Sequence, residues 1–328
     1  ARICVLETGP LIFNIFINDI VPIFQEEDCN PPTLIQKSVG CLLYADDLVL
    51  ISTTPTGLQT SLDKLNSYCN TWKLEVNSMK TKTMILTKQK RDITHSFKLN
   101  RKELEQVETY TYLGFCLYRT GTFKFAEKAM AEKAHRAMFK LRTLLQTCGI
   151  SPQISVKLFD QLIKPICLYG SELWGPDFMT MREANTEKFF NNMEKLDCEK
   201  VNLSFCKSLL GVHRKAQNTA GRGDLGRTLL GVDVAANVLK YKTYLERKST
   251  DSVLYEAYDL ICENKSRNLS WSQGCKKIEQ IVLQSNPCIN MDFKNRKNVT
   301  SRLDRAYRAR WLQKIQNEDK MRTYRIFK

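Results

Sequence analysis

Two short apolar runs, Val39–Tyr44 and Leu48–Ser52, are separated only by Ala45-Asp46-Asp47. Runs rich in Val, Ile and Leu that lie so close in sequence predict a β-hairpin, here with an acidic turn. The segment from Thr56 to Trp72 predicts an amphipathic helix, with Leu58, Leu62, Leu65, Cys69 and Trp72 on one stripe. Upstream, Leu11, Ile12, Ile15, Phe16 and Ile20 fall near helical spacing, with Pro10 at a helix start. Downstream, Met84–Leu86 reads as a short strand and Thr109–Leu117 as another. The first 118 residues thus mix strands and helices.

The pattern changes after Thr122. Ala126, Ala129, Met130, Ala134, Ala137, Met138, Leu141 and Leu145 form a long helical stripe. Ser151-Pro152 is a helix start, with Ser as N-cap and Pro at the first helical position. Helical periodicity dominates the remainder, and Gly221-Arg222-Gly223-Asp224 and Ser285-Asn286-Pro287 read as breaks. The expected fold class is α+β in front and all-α behind, divided as 1–118, 119–176 and 177–328.

Composition narrows the function. The net charge is +15, from 50 Lys and Arg against 35 Asp and Glu. A folded chain this basic is expected to face phosphates, because its cations release the counterions condensed on nucleic acid. A generally basic surface or attraction to an anionic membrane are the alternatives. None of the 12 cysteines forms a CxxC pair and the 3 histidines lie far apart, which excludes a zinc module. Cys41 and Cys167 sit among apolar residues and read as small buried side chains of a reducing compartment. No apolar run approaches the roughly 18–20 residues that span a bilayer. The chain starts at Ala1 and enters an apolar segment at once; it reads as a piece of something longer.

Two adjacent carboxylates on a rigid hairpin suit magnesium, a hard cation that takes carboxylate and phosphate oxygens. Two such ions bind the attacking and leaving oxygens in nucleotidyl transfer. An Asp-Asp turn on a soluble hairpin is the plain alternative. Four further stretches bear on the choice. Tyr44-Ala45-Asp46-Asp47 resembles the catalytic signature of reverse transcriptases. Trp72-Lys-Leu-Glu-Val-Asn-Ser-Met-Lys-Thr-Lys82 resembles the element that follows it. Tyr110-Thr-Tyr-Leu-Gly-Phe115 resembles the primer-grip hairpin, and Leu11–Ile20 the helix before the catalytic hairpin. Leu158–Pro165, Leu168–Gly175, Cys206–Val212 and Gly223–Arg227 resemble the later helices and C-terminal segment of non-LTR (LINE-type) retrotransposon reverse transcriptases. The resemblance is strong through residue 118, good to about residue 230 and weak beyond.

The resemblance implies a partial right-hand polymerase palm with an antiparallel sheet, a helical thumb and a C-terminal helical region. It implies an RNA-directed DNA polymerase, magnesium as cofactor, and an RNA template, a DNA primer or target and deoxynucleotides as partners. It places the chain inside the cell, in the nucleus or a cytoplasmic ribonucleoprotein. By the same resemblance Asp46 and Asp47 are metal ligands, and Tyr44 and Ala45 lie near the primer or incoming nucleotide. Lys80 approaches the leaving pyrophosphate, where a cation neutralises charge or donates a proton. Tyr112, Leu113 and Gly114 position the primer. An exposed basic loop is the alternative for Lys80 and Lys82, and ordinary strand packing for Tyr112 and Leu113.

The family also needs an aspartate on an earlier strand, expected before residue 1. The stretch Leu6-Glu-Thr-Gly-Pro-Leu-Ile12 departs from the family's Gln-Gly and Pro-Leu-Ser-Pro pattern, which leaves the nucleotide loop shortened. This chain alone is therefore expected to be inactive, with a non-catalytic nucleic-acid-binding remnant as the alternative. With a palm strand missing, unpaired sheet edges predict poor solubility.

Residues 296–314 hold seven basic side chains (Arg296, Lys297, Arg302, Arg305, Arg308, Arg310, Lys314) against one acid, Asp304. Tyr307 and Trp311, four apart, share a helix face. The aromatics are expected to pack into a core, and Arg302, Arg305, Arg308 and Arg310 to meet nucleic-acid phosphates.

Overall fold

The computed structural model describes residues 9–89, 93–178, 184–263, 271–285, 293 and 295–317. It is an α+β chain, mostly helical, that divides into two compact units. The first unit comprises the residues up to Tyr110 together with Arg119–Gly121 and Ser249–Leu260. The second comprises Thr111–Tyr118, Thr122–Lys248 and the residues from Ile261 onward.

The first unit is built around the Pro55–Trp72 helix. Thr54 caps it by accepting from the Gly57 N–H, Pro55 supplies the first turn, and Lys73 ends it in the left-handed conformation at φ 56°. Its buried stripe of Leu62, Leu65, Tyr68 and Cys69 meets Ile20 and Phe24 from one side and Phe97, Leu99 and Leu104 from another. Trp72 departs from the expected stripe: it is exposed, and packs edge-on against Phe16 with centroids 5.3 Å apart.

The hairpin forms as Cys41–Tyr44 paired with Asp47–Leu50, so the turn is Ala45-Asp46 and Asp47 already belongs to a strand. Cross-strand partners share a face of the sheet. Cys41, Leu43, Leu48 and Leu50 pack on the first unit's core, while Leu42 and Tyr44 on the opposite face are exposed. The ladder continues one step beyond the strands, with the Ile51 N–H donating to the Gly40 carbonyl at 2.8 Å. A Cβ on Gly40 would stand 1.8 Å from the Phe24 carbonyl oxygen, so only glycine fits there. Gly40→Ala is expected to force the two backbones apart and destabilise this unit by about 2–3 kcal/mol, the scale of an overpacked core. Urea unfolding followed by Trp72 fluorescence checks it, and an unchanged midpoint would mean that the approach is not kept in solution.

Sheet structure is sparser than the sequence suggests. Every sheet among the described residues has two strands, and no continuous antiparallel palm sheet assembles. The strand expected at Met84–Leu86 lies instead at Lys82–Thr83, paired parallel with Glu105–Gln106. No partner strand runs beside residues 84–86 among the described residues, and Leu86 is exposed. The Thr109–Leu117 stretch is two strands, Thr109–Tyr112 and Phe115–Tyr118, rather than one. Leu113 and Gly114 turn between them at φ 47° and 79°; positive φ at both central residues is the hairpin-favouring type I′ arrangement.

The second unit is a helical assembly. Its core takes Ala126, Ala134, Met138 and Leu141 from the Lys124–Cys148 helix, Val201 and Phe205 from Asp197–Leu209, and Val234 to Leu239 from Leu230–Leu245. Leu303 and Tyr307 of the Arg296–Asn317 helix join the same core. The boundary expected at residue 176 is therefore absent: helices on both sides of it share one apolar interior. Ser151 accepts from the Ile154 N–H with Pro152 at the first position, as expected. The helix then widens into a π turn at Phe159–Ile163, just before Pro165. Proline lacks the N–H and crowds the preceding turn, and a π turn relieves both. The Gly221–Asp224 stretch, expected to be a break, lies largely in a short helix, Asn218–Gly223. Residues 286–287 of the other expected break lie outside the described residues.

Candidate active site

In the hairpin tip, Tyr44 pairs with Asp47 and the chain turns through Ala45 and Asp46 in two residues. Ala45 takes φ 52°, the left-handed region where an L side chain costs about 1–2 kcal/mol. Such strain persists where the surrounding pairing over-determines it, and it is concentrated at functional sites. Asp46 and Asp47 are both exposed, and Tyr44 beside them is 63% exposed. Among the described residues neither carboxylate has a hydrogen-bond or ion-pair partner. Asp47 and Tyr44 project from the hairpin face opposite the core. The tip therefore offers carboxylate oxygens with free acceptor capacity on a rigid two-stranded support.

Lys80 sits on a second turn of the same unit. The Asn77 side-chain oxygen accepts from the Met79 and Lys80 N–H groups, both at 3.1 Å. The Asn77 carbonyl accepts from the Thr81 hydroxyl at 2.9 Å. Asn77 and Thr81 thus shape the loop, an Asx turn, and leave the Lys80 side chain exposed. Lys82 is committed elsewhere: its ammonium pairs with Glu105 at 2.6 Å.

Tyr112, Leu113 and Gly114 belong to the second unit. The Tyr169 hydroxyl donates to the Leu113 carbonyl at 2.7 Å, and the Lys133 ammonium to the Gly114 carbonyl at 3.2 Å. Both turn carbonyls are thereby anchored to helices of that unit.

On the Arg296–Asn317 helix the arginines part company. Arg305 and Arg308 are exposed and Arg302 is half-buried. Arg310 is only 7% exposed. Its guanidinium donates to Glu187 at 2.9 and 3.1 Å, to Glu194 at 2.9 Å and to Asn191. Burial works against the charged form of Glu194, but Arg310 and Arg222 outweigh it and hold the carboxyl below its ordinary value. Arg310 is therefore withdrawn from the phosphate-facing set and assigned to the interior. The signal was in the spacing: Leu303, Tyr307 and Arg310 follow one another at helical intervals of four and three. Trp311 packs as expected, its indole N–H donating to the Thr219 carbonyl at 2.9 Å.

A basic and aromatic face that sequence reading missed lies on the Lys124–Cys148 helix, where His135, Arg136, Phe139 and Lys140 are all exposed. The residues between the buried positions of the same periodicity would have shown it. Among the described residues no group of three or more His, Cys, Asp or Glu side chains is placed to hold a metal ion. No described helix is long and apolar enough to cross a membrane.

Comparison with known proteins bears directly on the hairpin. Residues 6–117, which contain Asp46, Asp47 and Lys80, match the family described as reverse transcriptase (RNA-dependent DNA polymerase). The chain is 28% identical over 175 residues to a Drosophila melanogaster protein named "Probable RNA-directed DNA polymerase from transposon BS", covering 51% of this chain and 19% of that protein. It is 29% identical over 141 residues to an uncharacterized transposon-derived protein of Caenorhabditis elegans, covering 42% of this chain and 50% of that one. It is 24% identical over 252 residues to a 115 kDa protein of the Drosophila melanogaster type-1 retrotransposable element R1DM, covering 74% of this chain and 23% of that one. The chain thus spans half or less of the length of these relatives. The segment that carries the carboxylate hairpin is thus similar to a reverse transcriptase domain, and the chain is similar to retrotransposon proteins over as much as 74% of its length.

Proposed function

We propose that this chain supplies the carboxylate hairpin and part of the nucleic-acid-holding surface of a magnesium-dependent, RNA-directed DNA polymerase. The first unit corresponds to part of a palm, and the leading helices of the second to a thumb. The observation that carries the reading is the pair of exposed, unpartnered carboxylates, Asp46 and Asp47, on a hairpin inside the matched segment. Their oxygens fit a hard divalent cation. When bound, such an ion neutralises charge on a transferring phosphoryl group. Lys80, exposed on its Asx turn, supplies a further cation of the kind that stabilises a leaving pyrophosphate. Tyr44 offers a ring to a nucleotide, and Tyr112, Leu113 and Gly114 a braced turn to the primer. Arg305, Arg308 and the half-buried Arg302 face phosphates. Two carboxylates make a weak site, so this chain by itself is expected not to polymerise. The proposed setting is the nucleus or a cytoplasmic ribonucleoprotein.

The test compares the chain with its Asp46→Ala/Asp47→Ala variant in primer extension on poly(rA)/oligo(dT) with magnesium, alongside a salt titration of primer–template binding. The expected result is salt-dependent binding by both proteins and extension by neither. Extension that vanishes in the variant would place catalysis in this chain and overturn its expected inactivity. Failure of the folded chain to bind primer–template would overturn the nucleic-acid reading.

A further inference from the structure

Glu256 is a carboxylate the proposed chemistry does not use. It is 5% exposed and lies in the first turns of the helix that begins at Val253, in the part that belongs to the first unit. Its Oε2 accepts from two consecutive backbone N–H groups, Gln36 at 2.9 Å and Lys37 at 3.0 Å. The Lys37 ammonium stands 3.9 Å from Oε1. These partners are 220 and 219 residues away in sequence.

Residues 32–39 form a small hairpin of their own. Val39 N–H donates to the Pro32 carbonyl and Leu34 N–H to the Lys37 carbonyl, both at 2.9 Å. Thr33 and Ser38 bridge, and their hydroxyls meet at 3.2 Å. In a closed two-residue turn the Lys37 N–H would donate back to the Leu34 carbonyl. Here it turns outward with the Gln36 N–H, and the Glu256 carboxylate takes both. A carboxylate that accepts from two backbone N–H groups makes charge-assisted hydrogen bonds, stronger than neutral ones, so the tip of this hairpin is tied to a side chain from far along the chain. Only Val39 and Gly40 then separate it from Cys41, the first residue of the carboxylate hairpin. Gly40 is held between the Phe24 carbonyl it nearly touches and the Ile51 N–H it accepts. A displacement of the 33–38 turn therefore has no slack in which to dissipate before it reaches the strand that ends at Tyr44.

We propose that Glu256 is a positioning residue for the Asp46–Asp47 hairpin: by gripping the Gln36 and Lys37 amides it fixes the small hairpin that leads into Cys41–Tyr44. The Ser249–Leu260 segment is on this account an integral part of the unit that carries the proposed active site. The consequence of this grip for metal binding rests on the function proposed above.

The test uses the full chain with Glu256→Ala, and with Glu256→Gln, which keeps the shape if the alanine variant does not fold. Hydrogen–deuterium exchange is followed in peptides covering residues 33–52 and, as control, in the Leu230–Leu245 helix. Terbium luminescence sensitised by Tyr44 reports metal binding at the tip. The expected result is exchange about tenfold faster through residues 38–51, the scale of losing a charge-assisted hydrogen bond, with the control helix unchanged and terbium binding several-fold weaker. Faster exchange confined to Gln36 and Lys37 would overturn the proposal, as would an equal rise in the control helix. Faster exchange across 38–51 in a chain whose wild type binds no terbium would uphold the positioning role and count against the metal reading alone.

Discussion

Replacing Arg222 by alanine is expected to destabilise the helical unit by about 3–5 kcal/mol, the loss seen when one partner of a buried ion pair is removed. Arg222 and Glu199 are both 0% exposed. The guanidinium donates to Glu199 at 3.0 Å and to the Tyr307 hydroxyl at 2.9 Å, and lies 3.5 Å from Glu194. Glu199 also accepts from Asn202 at 3.1 Å and from the Leu230 N–H at 2.8 Å, so it ties three helices at once. Burial already holds the Glu199 carboxyl above its ordinary value against the pull of Arg222, and without Arg222 it is left in an apolar interior with the neutral donors Asn202 and Leu230 around it. The double variant Arg222→Met/Glu199→Gln removes both charges and is expected to recover a large part of the loss, because desolvation offsets much of the attraction in the intact pair. Urea unfolding of the two variants and wild type at pH 7 measures both effects. A loss below about 1 kcal/mol for Arg222→Ala would mean that the pair is not closed in solution.

The second large effect concerns pH. Glu127 on the Lys124–Cys148 helix is 3% exposed, and its carboxylate accepts from the Cys198 N–H at 2.9 Å, in the first turn of the Asp197–Leu209 helix. Burial, with a smaller push from Asp197, raises its carboxyl from 4.5 to about 7. A carboxyl with a raised folded value binds more protons in the folded than in the unfolded state between those limits. Its contribution is fully present below about 4.5 and is lost as pH rises to about 7. A shift of this size corresponds to roughly 3 kcal/mol. Glu127→Gln keeps an acceptor for the Cys198 N–H and removes the titration. The variant is therefore expected to show a smaller loss of stability than wild type between pH 5 and pH 8, and to be the more stable protein at pH 8. Parallel pH profiles for the two proteins would show that Glu127 does not titrate in this window.

Local patterns in the sequence were sufficient for elements whose causes are local. The hairpin at residues 41–50 needs only two apolar runs and a short turn. The helices at Pro55–Trp72 and Lys124–Cys148 follow from apolar spacing, and the start of one at Ser151-Pro152 from capping chemistry. Asp46, Asp47 and Lys80 are candidates because short motifs mark them, and the Asn77 turn that presents Lys80 is itself local. Elements that need a distant partner were misjudged. A strand exists only where another lies beside it, so among the described residues no strand pairs with residues 84–86 and the expected antiparallel sheet is present as pairs of strands.

Charge was the least legible property, because the identity of a side chain does not say what faces it. Arg310 and Arg305 look alike in sequence. One is enclosed by Glu187, Asn191 and Glu194, more than 100 residues away, and the other is exposed. Arg222 sits in a glycine-rich stretch that reads as a loop, yet it is the cation at the centre of the helical core. The sequence by itself determined the resemblance to reverse transcriptases, the carboxylate hairpin and the main helices, since each rests on contiguous pattern. Only the tertiary structure decided which charges are interior, where one unit ends, and that Glu256 reaches the approach to the hairpin, since these depend on which distant segments the packing brings together.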